Sequence, residues 1–205
     1  MLKEKGAAEP KCWKDLPDPA YRGLIQVSNP NTAGTGYTVV ATLVQIFGEE
    51  DAFKLMKEMH RNVAEYTRSG VAPRIAVGRG DAAIGIQFMH DLVEFTKQGA
   101  PIKIVAPCEG TGYEIGGLSL IKRAGRRAEA IEFIDWALSP EAQAIAFRVG
   151  AFSMPSNTRT PLVKEVPDPK TVKLIRYDVA KYGSPAVRDP LIARWTKEIF
   201  ALPRR

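Results

Sequence analysis

Residues 29–36 hold small hydroxyl side chains and two glycines between two apolar segments. The short apolar run 24–27 predicts a buried strand, and the spacing of the apolar residues in 37–47 predicts a helix. A loop of this composition lets backbone N–H groups point at one spot, and the helix start adds a field that favours negative charge. The loop predicts a site for a phosphate, phosphonate or carboxylate, with an ordinary helix N-cap as the alternative.

Polar residues also follow two other predicted strands. Ser69 and Gly70 come after the strand predicted at 63–66, and Gln87, His90 and Asp91 come after the one predicted at 82–86. In an α/β sheet the carboxyl ends of the strands form the ligand-binding edge, so these residues are candidate contacts. Helix capping by Ser69 or Asp91, with His90 as a bystander, is the alternative for each.

Two carboxylates flank a glycine-rich loop at 109–114, namely Glu109 and Glu114. General acid–base catalysis needs a nucleophile and a partner at hydrogen-bond distance. The sequence has no serine on a strand-to-helix elbow with His and Asp in the order that such hydrolases use. We therefore predict that the protein binds a ligand and catalyses no reaction.

The predicted elements alternate between strand and helix along most of the chain. Further strands are expected at 102–105 and 114–121, and further helices at 51–60, 70–79, 91–98, 128–138 and 140–149. This order predicts an α/β fold with three layers and a mainly parallel sheet. After Gly150, prolines interrupt a long connector that ends in one amphipathic helix at 190–202.

Composition and charge exclude several classes of protein. Of the 205 residues 45% are hydrophobic and 25% charged, which is ordinary for a globular domain. No segment approaches the roughly 18 apolar residues of a membrane span. The net charge of +6 lies in the second half of the chain without a basic run, so a solvated face or an anionic ligand explains it better than nucleic acid does.

The sequence contains few residues that could bind a metal or take part in redox chemistry. The two histidines and two cysteines form no spaced cluster, so no metal site and no cofactor are predicted. Cys12 and Cys108 are consistent either with one disulfide in an oxidising compartment or with two buried thiols.

Four segments together resemble one protein family. Residues 10–16 (PKCWKDL) resemble a P-x-S-W-x-D-L connector, and residues 29–37 (NPNTAGTGY) resemble an NPxTSGTGY anion loop. Residues 78–86 (GRGDAAIGI) and 131–143 (IEFIDWALSPEAQ) resemble that family's helix-to-strand step and its FIDWLLSPEAQ helix pair. The family is the type 2 periplasmic solute-binding proteins of ABC importers, in the branch that binds ferric ion, hexose phosphates and phosphonates.

The resemblance implies a domain organisation and a location. Members of this family close two α/β lobes on a ligand and deliver it to a membrane permease in the periplasm. By this resemblance residues 1–22 are the end of a crossover helix and a hinge connector, 23–150 the second lobe, and 151–205 a return segment. A signal peptide and a first lobe would then precede Met1, and the C-terminal helix would pack on that first lobe. The complete protein would be a monomer.

The resemblance also implies site residues. Ferric binders carry paired tyrosines where this sequence has Phe88, Met89 and His90, which cannot supply phenolate oxygen to Fe(III). The pattern instead resembles the hexose-phosphate binders. The implied contacts with sugar hydroxyls are Gln87, His90, Asp91 and Glu114, with Glu109 as an alternative to Glu114. The implied contacts with the anion are Thr32, Ala33, Gly34, Thr35, Ser69 and Gly70.

Three functions are therefore weighed on the sequence. The first is a solute-binding component of an ABC importer that takes a phosphorylated sugar or an organophosphonate. The second is a ferric-ion-binding protein of an iron importer that uses ligands other than tyrosine. The third, from another class, is the ligand-sensing effector domain of a transcription regulator, which shares this fold.

Overall fold

A three-stranded parallel sheet forms the centre of the protein. The computed structural model describes residues 1–122 and 126–203. The strands are β1 (Ile25–Ser28), β2 (Val63–Thr67) and β3 (Ile84–Ile86), in the order β2-β1-β3. Both neighbours run parallel to β1, so the carboxyl ends of all three strands lie at one edge. These three strands were predicted from their short apolar runs, and the parallel sheet confirms the predicted α/β class.

Helices connect the strands and follow them. The chain crosses from β1 to β2 through two helices and from β2 to β3 through one, as parallel pairing requires. The helices are α1 (Gly34–Phe47), α2 (Glu49–His60), α3 (Ala72–Arg79), α4 (His90–Lys97), α5 (Arg127–Ala137), α6 (Pro140–Arg148), α7 (Val179–Gly183) and α8 (Pro185–Trp195), and a π-helical turn at Thr196–Phe200 continues α8.

The sheet is covered on both faces. Ile25 and Val27 point into the main core, where side chains of α1 and α2 are also buried. Alternate residues point to the opposite face. There a Cβ added to Gly85 would lie only 3.0 Å from the carbonyl oxygen of Pro73 in α3. Gly85 thus allows α3 to approach β3 closely, and the arrangement is the predicted three-layer lobe.

The C-terminal helix packs on the same core. Leu191, Trp195 and Ile199 are buried among the residues of α1, α2 and β2. Its expected contact with a first lobe stays a prediction, and the packing on this core is an additional contact that the sequence did not indicate. The helix also begins at Pro185 rather than Pro190, because Ser184 and Pro185 form an earlier start with proline at the first position.

Two predicted strands do not form. Residues 102–105 and 114–121 have no strand assignment, and outside the sheet the described residues contain a single isolated bridge, between Thr111 and Leu174. Their β-branched residues favour a strand, but a strand also needs a neighbour with free N–H and C=O groups. Ile115 and Ile121 consequently remain exposed.

The helix pair α5 and α6 was predicted almost to the residue. Ser139 caps α6 by accepting a hydrogen bond from the Ala142 N–H at 3.1 Å, and Pro140 occupies the first helical position, as expected. Neither helix buries a residue, and Phe133 and Trp136 are more than half exposed. Over residues 1–122 and 126–203, every helix is too short or too polar to cross a membrane.

The predicted division of the chain at residues 22 and 150 stays a prediction. Residues 123–125 and 204–205, which belong to the second and third of its segments, lie outside the described residues.

Candidate anion-binding cleft

The loop after β1 leaves the start of α1 uncapped. The Asn29 side chain accepts a hydrogen bond from the Asn31 N–H at 2.9 Å, which turns the chain before the helix begins at Gly34. The N-cap residue is Ala33, whose side chain has no acceptor atom. In the described part of the chain the N–H groups of Gly34 and Thr35 donate no hydrogen bond. Side-chain capping, the alternative explanation for this loop, does not occur here.

The two glycines of the loop bring backbone and side chains close together. A Cβ on Gly36 would overlap the carbonyl oxygen of Ser28 and would lie 2.8 Å from the nitrogen of Pro30. A Cβ on Gly34 would lie 3.4 Å from a carboxylate oxygen of Glu114, which is ordinary contact. The first turn of α1 therefore rests on the end of β1 and faces Glu114.

The loop after β2 touches the same region. The Thr32 hydroxyl donates to the carbonyl oxygen of Arg68 at 3.0 Å. A Cβ on Gly70 would overlap the side chain of Thr35. The predicted anion contacts Thr35, Ser69 and Gly70 thus lie next to the α1 loop, although they do not line the cleft described next.

A cleft of about 460 Å³ opens at the start of α1. Four predicted site residues line it, namely Thr32, Ala33, Gly34 and Glu114. The other lining residues are Pro30, Asn31, Tyr37, Thr38, Tyr113, Ile115, Tyr177, Val179, Tyr182, Gly183 and Arg188. The volume suits a small solute such as a single sugar ring with a charged group.

The structure separates the roles of the two loop carboxylates. Glu109 accepts hydrogen bonds from the backbone N–H groups of Trp13 and Lys14 at 2.8 and 3.0 Å, so it caps the turn Trp13–Asp15. Beside it a disulfide joins Cys12 to Cys108, the first of the two alternatives for these cysteines. Glu114 makes no hydrogen bond or ion pair in the described residues and is exposed in the cleft, which makes it the candidate ligand contact.

Gln87, His90 and Asp91 form a separate polar group after β3. Gln87 accepts a hydrogen bond from the Arg74 N–H at 2.9 Å, in the first turn of α3. The Arg74 guanidinium donates to the carbonyl oxygen of Asp91 at 3.0 Å, and His90 Nε2 lies 3.5 Å from the Asp91 carboxylate. None of the three residues lines the cleft, and their contact with a sugar stays a prediction.

Sequence reasoning missed an aromatic wall. The rings of Tyr113, Tyr177 and Tyr182 line the cleft, with centroids 5.9 Å apart for the first pair and 6.3 Å for the second. Burial, together with the nearby Tyr37 and Glu114, raises the pKa of Tyr177 to about 12. Burial likewise raises the pKa of Tyr37, whose hydroxyl donates to the carbonyl oxygen of Tyr182. No spacing in the sequence signals this wall, because Tyr113 is far along the chain from Tyr177 and Tyr182.

The donor set of the cleft suits binding rather than catalysis or metal coordination. Within residues 1–122 and 126–203, the grouped metal-ligating side chains are Cys12, Cys108 and Glu109. Both sulfurs belong to the disulfide, and Glu109 accepts backbone hydrogen bonds, so these groups have partners already. The cleft itself offers tyrosine side chains, one carboxylate, one guanidinium and the free Gly34 N–H at the start of α1.

Comparison with known proteins identifies the family. The family of bacterial extracellular solute-binding proteins matches residues 2–182. The chain belongs to this family. It is a family of binding proteins, in agreement with the prediction that no reaction is catalysed, and its structural homologues are periplasmic binding proteins. The resemblance seen in the four sequence segments is thereby confirmed.

The relatives differ in what their names say of a solute. The periplasmic binding protein AfuA from Actinobacillus pleuropneumoniae, solved with fructose-6-phosphate bound, is 42% identical with a TM-score of 0.94, over 98% of this chain and 64% of that one. A Haemophilus influenzae protein is 46% identical, over 93% of this chain and 55% of its own. Iron uptake protein A1 of Synechocystis is 24% identical, over 84% of this chain and 50% of its own. The chain thus spans about half the length of these curated relatives.

Proposed function

We propose that the protein is the solute-binding component of an ABC importer and that its solute is a small phosphate ester, such as a sugar phosphate. The observation that carries the proposal is the uncapped start of α1, where the Gly34 and Thr35 N–H groups lack an acceptor beside the cleft. An anion there would accept these hydrogen bonds and gain from the helix dipole. The likeness to AfuA with fructose-6-phosphate bound supports the same solute class.

The cleft residues supply the rest of the recognition. Glu114 is an acceptor beside the α1 start, where the hydroxyl groups of a sugar ester would donate to it. Tyr113 and Tyr177 offer flat apolar ring faces to the carbon skeleton of the solute. Closure of the first lobe over this face would remove water and strengthen each of these contacts, and a membrane permease would then receive the solute.

Iron binding has weaker support. The relatives that are named for iron uptake are 24% identical to the chain. Phe88 and Met89 stand where the ferric branch carries tyrosines, and neither side chain offers the hard oxygen that Fe(III) prefers. We therefore use ferric citrate as a competing ligand in the test and do not propose it as the solute.

Calorimetry on the 205-residue chain tests the proposal. Fructose 6-phosphate should bind saturably, whereas fructose and ferric citrate should release no specific heat. Ala33→Asp should weaken the phosphate ester at least about tenfold, because the new carboxylate caps α1 and repels the anion. Ser139→Asp is the matched control, since it places the same charge at the start of α6, away from the cleft.

Two outcomes would contradict the proposal. Tight binding of ferric citrate with none of the phosphate ester would move the protein to the iron branch. Unchanged ester affinity in Ala33→Asp, with the fold intact by circular dichroism, would remove the start of α1 from the site.

A further inference from the structure

Arg188 brings a positive charge to the cleft. It lies on α8, is exposed, and lines the cleft together with Glu114. In the described part of the chain no carboxylate lies within ion-pair distance of its guanidinium, although Asp189 follows it directly. Arg194 on the same helix differs, because Glu49, Glu50 and Glu198 all bind it at 2.7–2.9 Å. One arginine of α8 therefore attaches the helix to α2, while the other has its charge available.

The Arg188 guanidinium lies beside the first turn of α1. Its central carbon is 5.9 Å from the ring centroid of Tyr37, a distance at which a cation is attracted to an aromatic face. Tyr37 is three residues after Gly34 on α1, and the bond from its hydroxyl to Tyr182 holds the ring in place. Two sources of positive potential, the start of α1 at Gly34 and this guanidinium, thus lie in one cleft.

The charge of the solute decides whether both sources are needed. A carboxylate carries one negative charge, which the N–H groups at the start of α1 can accommodate. A phosphate monoester carries about −1.5 to −2 at neutral pH and has three acceptor oxygens. The arginine fork matches phosphate oxygens and supplies the second positive charge without losing its own proton.

We propose that Arg188 is the specificity-determining residue that makes the cleft favour a doubly charged phosphate ester over a singly charged sugar acid. This inference rests on the proposed function and adds a residue and a selection rule to it. Because Glu114 shares the cleft, an anion bound there meets one negative side chain as well. Arg188 offsets that repulsion, and the offset matters most for the solute with the larger charge.

The test compares two ligands in two charge-matched variants of the full 205-residue chain. Arg188→Gln removes the guanidinium from the cleft. Lys181→Gln is the control, since Lys181 also lies over a tyrosine, 5.4 Å from the ring centroid of Tyr182, but does not line the cleft. Affinities for fructose 6-phosphate and gluconate are measured by calorimetry, and thermal unfolding checks that both variants fold.

The expected pattern is selective. Arg188→Gln should lose about ten- to hundredfold in affinity for fructose 6-phosphate, the loss typical of a hydrogen-bonded charge, while its gluconate affinity changes less than about threefold. Lys181→Gln should bind both ligands like the unmodified chain. Arg188→Lys should fall between, since it keeps the charge but not the fork.

Each other outcome overturns the inference in a recognisable way. If the unmodified chain binds fructose 6-phosphate and Arg188→Gln binds it equally well, Arg188 has no part in the site and the proposed function stands. An equal loss for both ligands would mean a general charge effect without selectivity. If the unmodified chain binds no phosphate ester, the proposed function fails and the inference fails with it.

Discussion

Ala33 stands where a helix usually carries a side chain that caps its first N–H groups. Its methyl group cannot do so, and the Gly34 and Thr35 N–H groups remain available beside the cleft. The sequence predicted this loop because glycine and threonine between a strand and a helix let backbone N–H groups point towards an anion. It did not predict Tyr177 or Arg188, since their contribution depends on where the C-terminal segment folds back.

Tyr177 makes the stability of the folded protein depend on pH in the alkaline range. Burial, with Tyr37 and Glu114 nearby, raises its pKa from the ordinary 10.0 to about 12 in the folded protein. The folded state then holds the proton more tightly than the unfolded chain. The contribution to stability is present below about pH 10 and is lost as the pH rises towards about 12.

Replacing Tyr177 removes this dependence. We expect the urea midpoint of the unmodified chain to fall more steeply between pH 10 and 12 than that of Tyr177→Phe. Tyr113→Phe is the control, because it removes another tyrosine hydroxyl from the same cleft. If the two midpoints of the unmodified chain and Tyr177→Phe fall in parallel, Tyr177 titrates normally and the burial argument is wrong.

At the scale of elements, the sequence pattern predicted those strands and helix ends that local interactions determine. The strands at 25–28, 63–67 and 84–86 and the capped start of α6 follow from short apolar runs and from Ser139-Pro140. The apolar residues of 102–105 look equally suited to a strand, but no neighbouring strand pairs with them. Pairing is a long-range property, and the sequence of one segment does not contain it.

The last helix shows how strongly a distant element can be attached. Trp195 is buried and meets the ring of Tyr66 edge-on at 5.0 Å, while the Arg194 ion pairs lie nearer the surface. Buried aromatic area contributes more to stability than exposed ion pairs do. The attachment of α8 to α2 and β2 therefore depends mainly on Trp195 and its apolar neighbours.

Substitution of the tryptophans measures that contribution. Trp195→Ala should lower the free energy of unfolding by about 3–5 kcal/mol, because it leaves a large cavity in the core. Trp136→Ala, on the exposed face of α5, should cost less than about 1 kcal/mol. Urea denaturation followed by circular dichroism gives both values. Equal losses would show that α8 is not part of the core.

On the scale of the whole molecule, the disulfide joins segments 96 residues apart. Around it, Trp13 Nε1 donates to the carbonyl oxygen of Gly110 at 2.9 Å, and Glu109 caps the Trp13 turn. The connector at residues 11–15 and the loop that carries Glu114 are consequently one unit. The sequence left the state of the two cysteines open, because spacing alone does not show whether the two thiols meet.

Reduction of this disulfide should destabilise the chain. Opening a loop of this length costs up to about 4.7 kcal/mol in a chain-entropy estimate. The double variant Cys12→Ser, Cys108→Ser should unfold at lower urea than the unmodified chain, and reductant should bring the unmodified chain to the same midpoint. A midpoint that reductant leaves unchanged would mean that the bridge does not constrain the unfolded chain.

The two glycines at the start of α1 differ in what they would tolerate over evolutionary time. Any side chain at position 36 would overlap backbone atoms of Ser28. A mutation that replaces this glycine would therefore disrupt folding. Position 34 has room for a methyl group, which would stand in ordinary contact with Glu114. Alanine at position 34 would leave the fold intact and narrow the entrance for the solute. Substitution at position 34 can therefore change which solute the cleft accepts, whereas substitution at position 36 disrupts the fold.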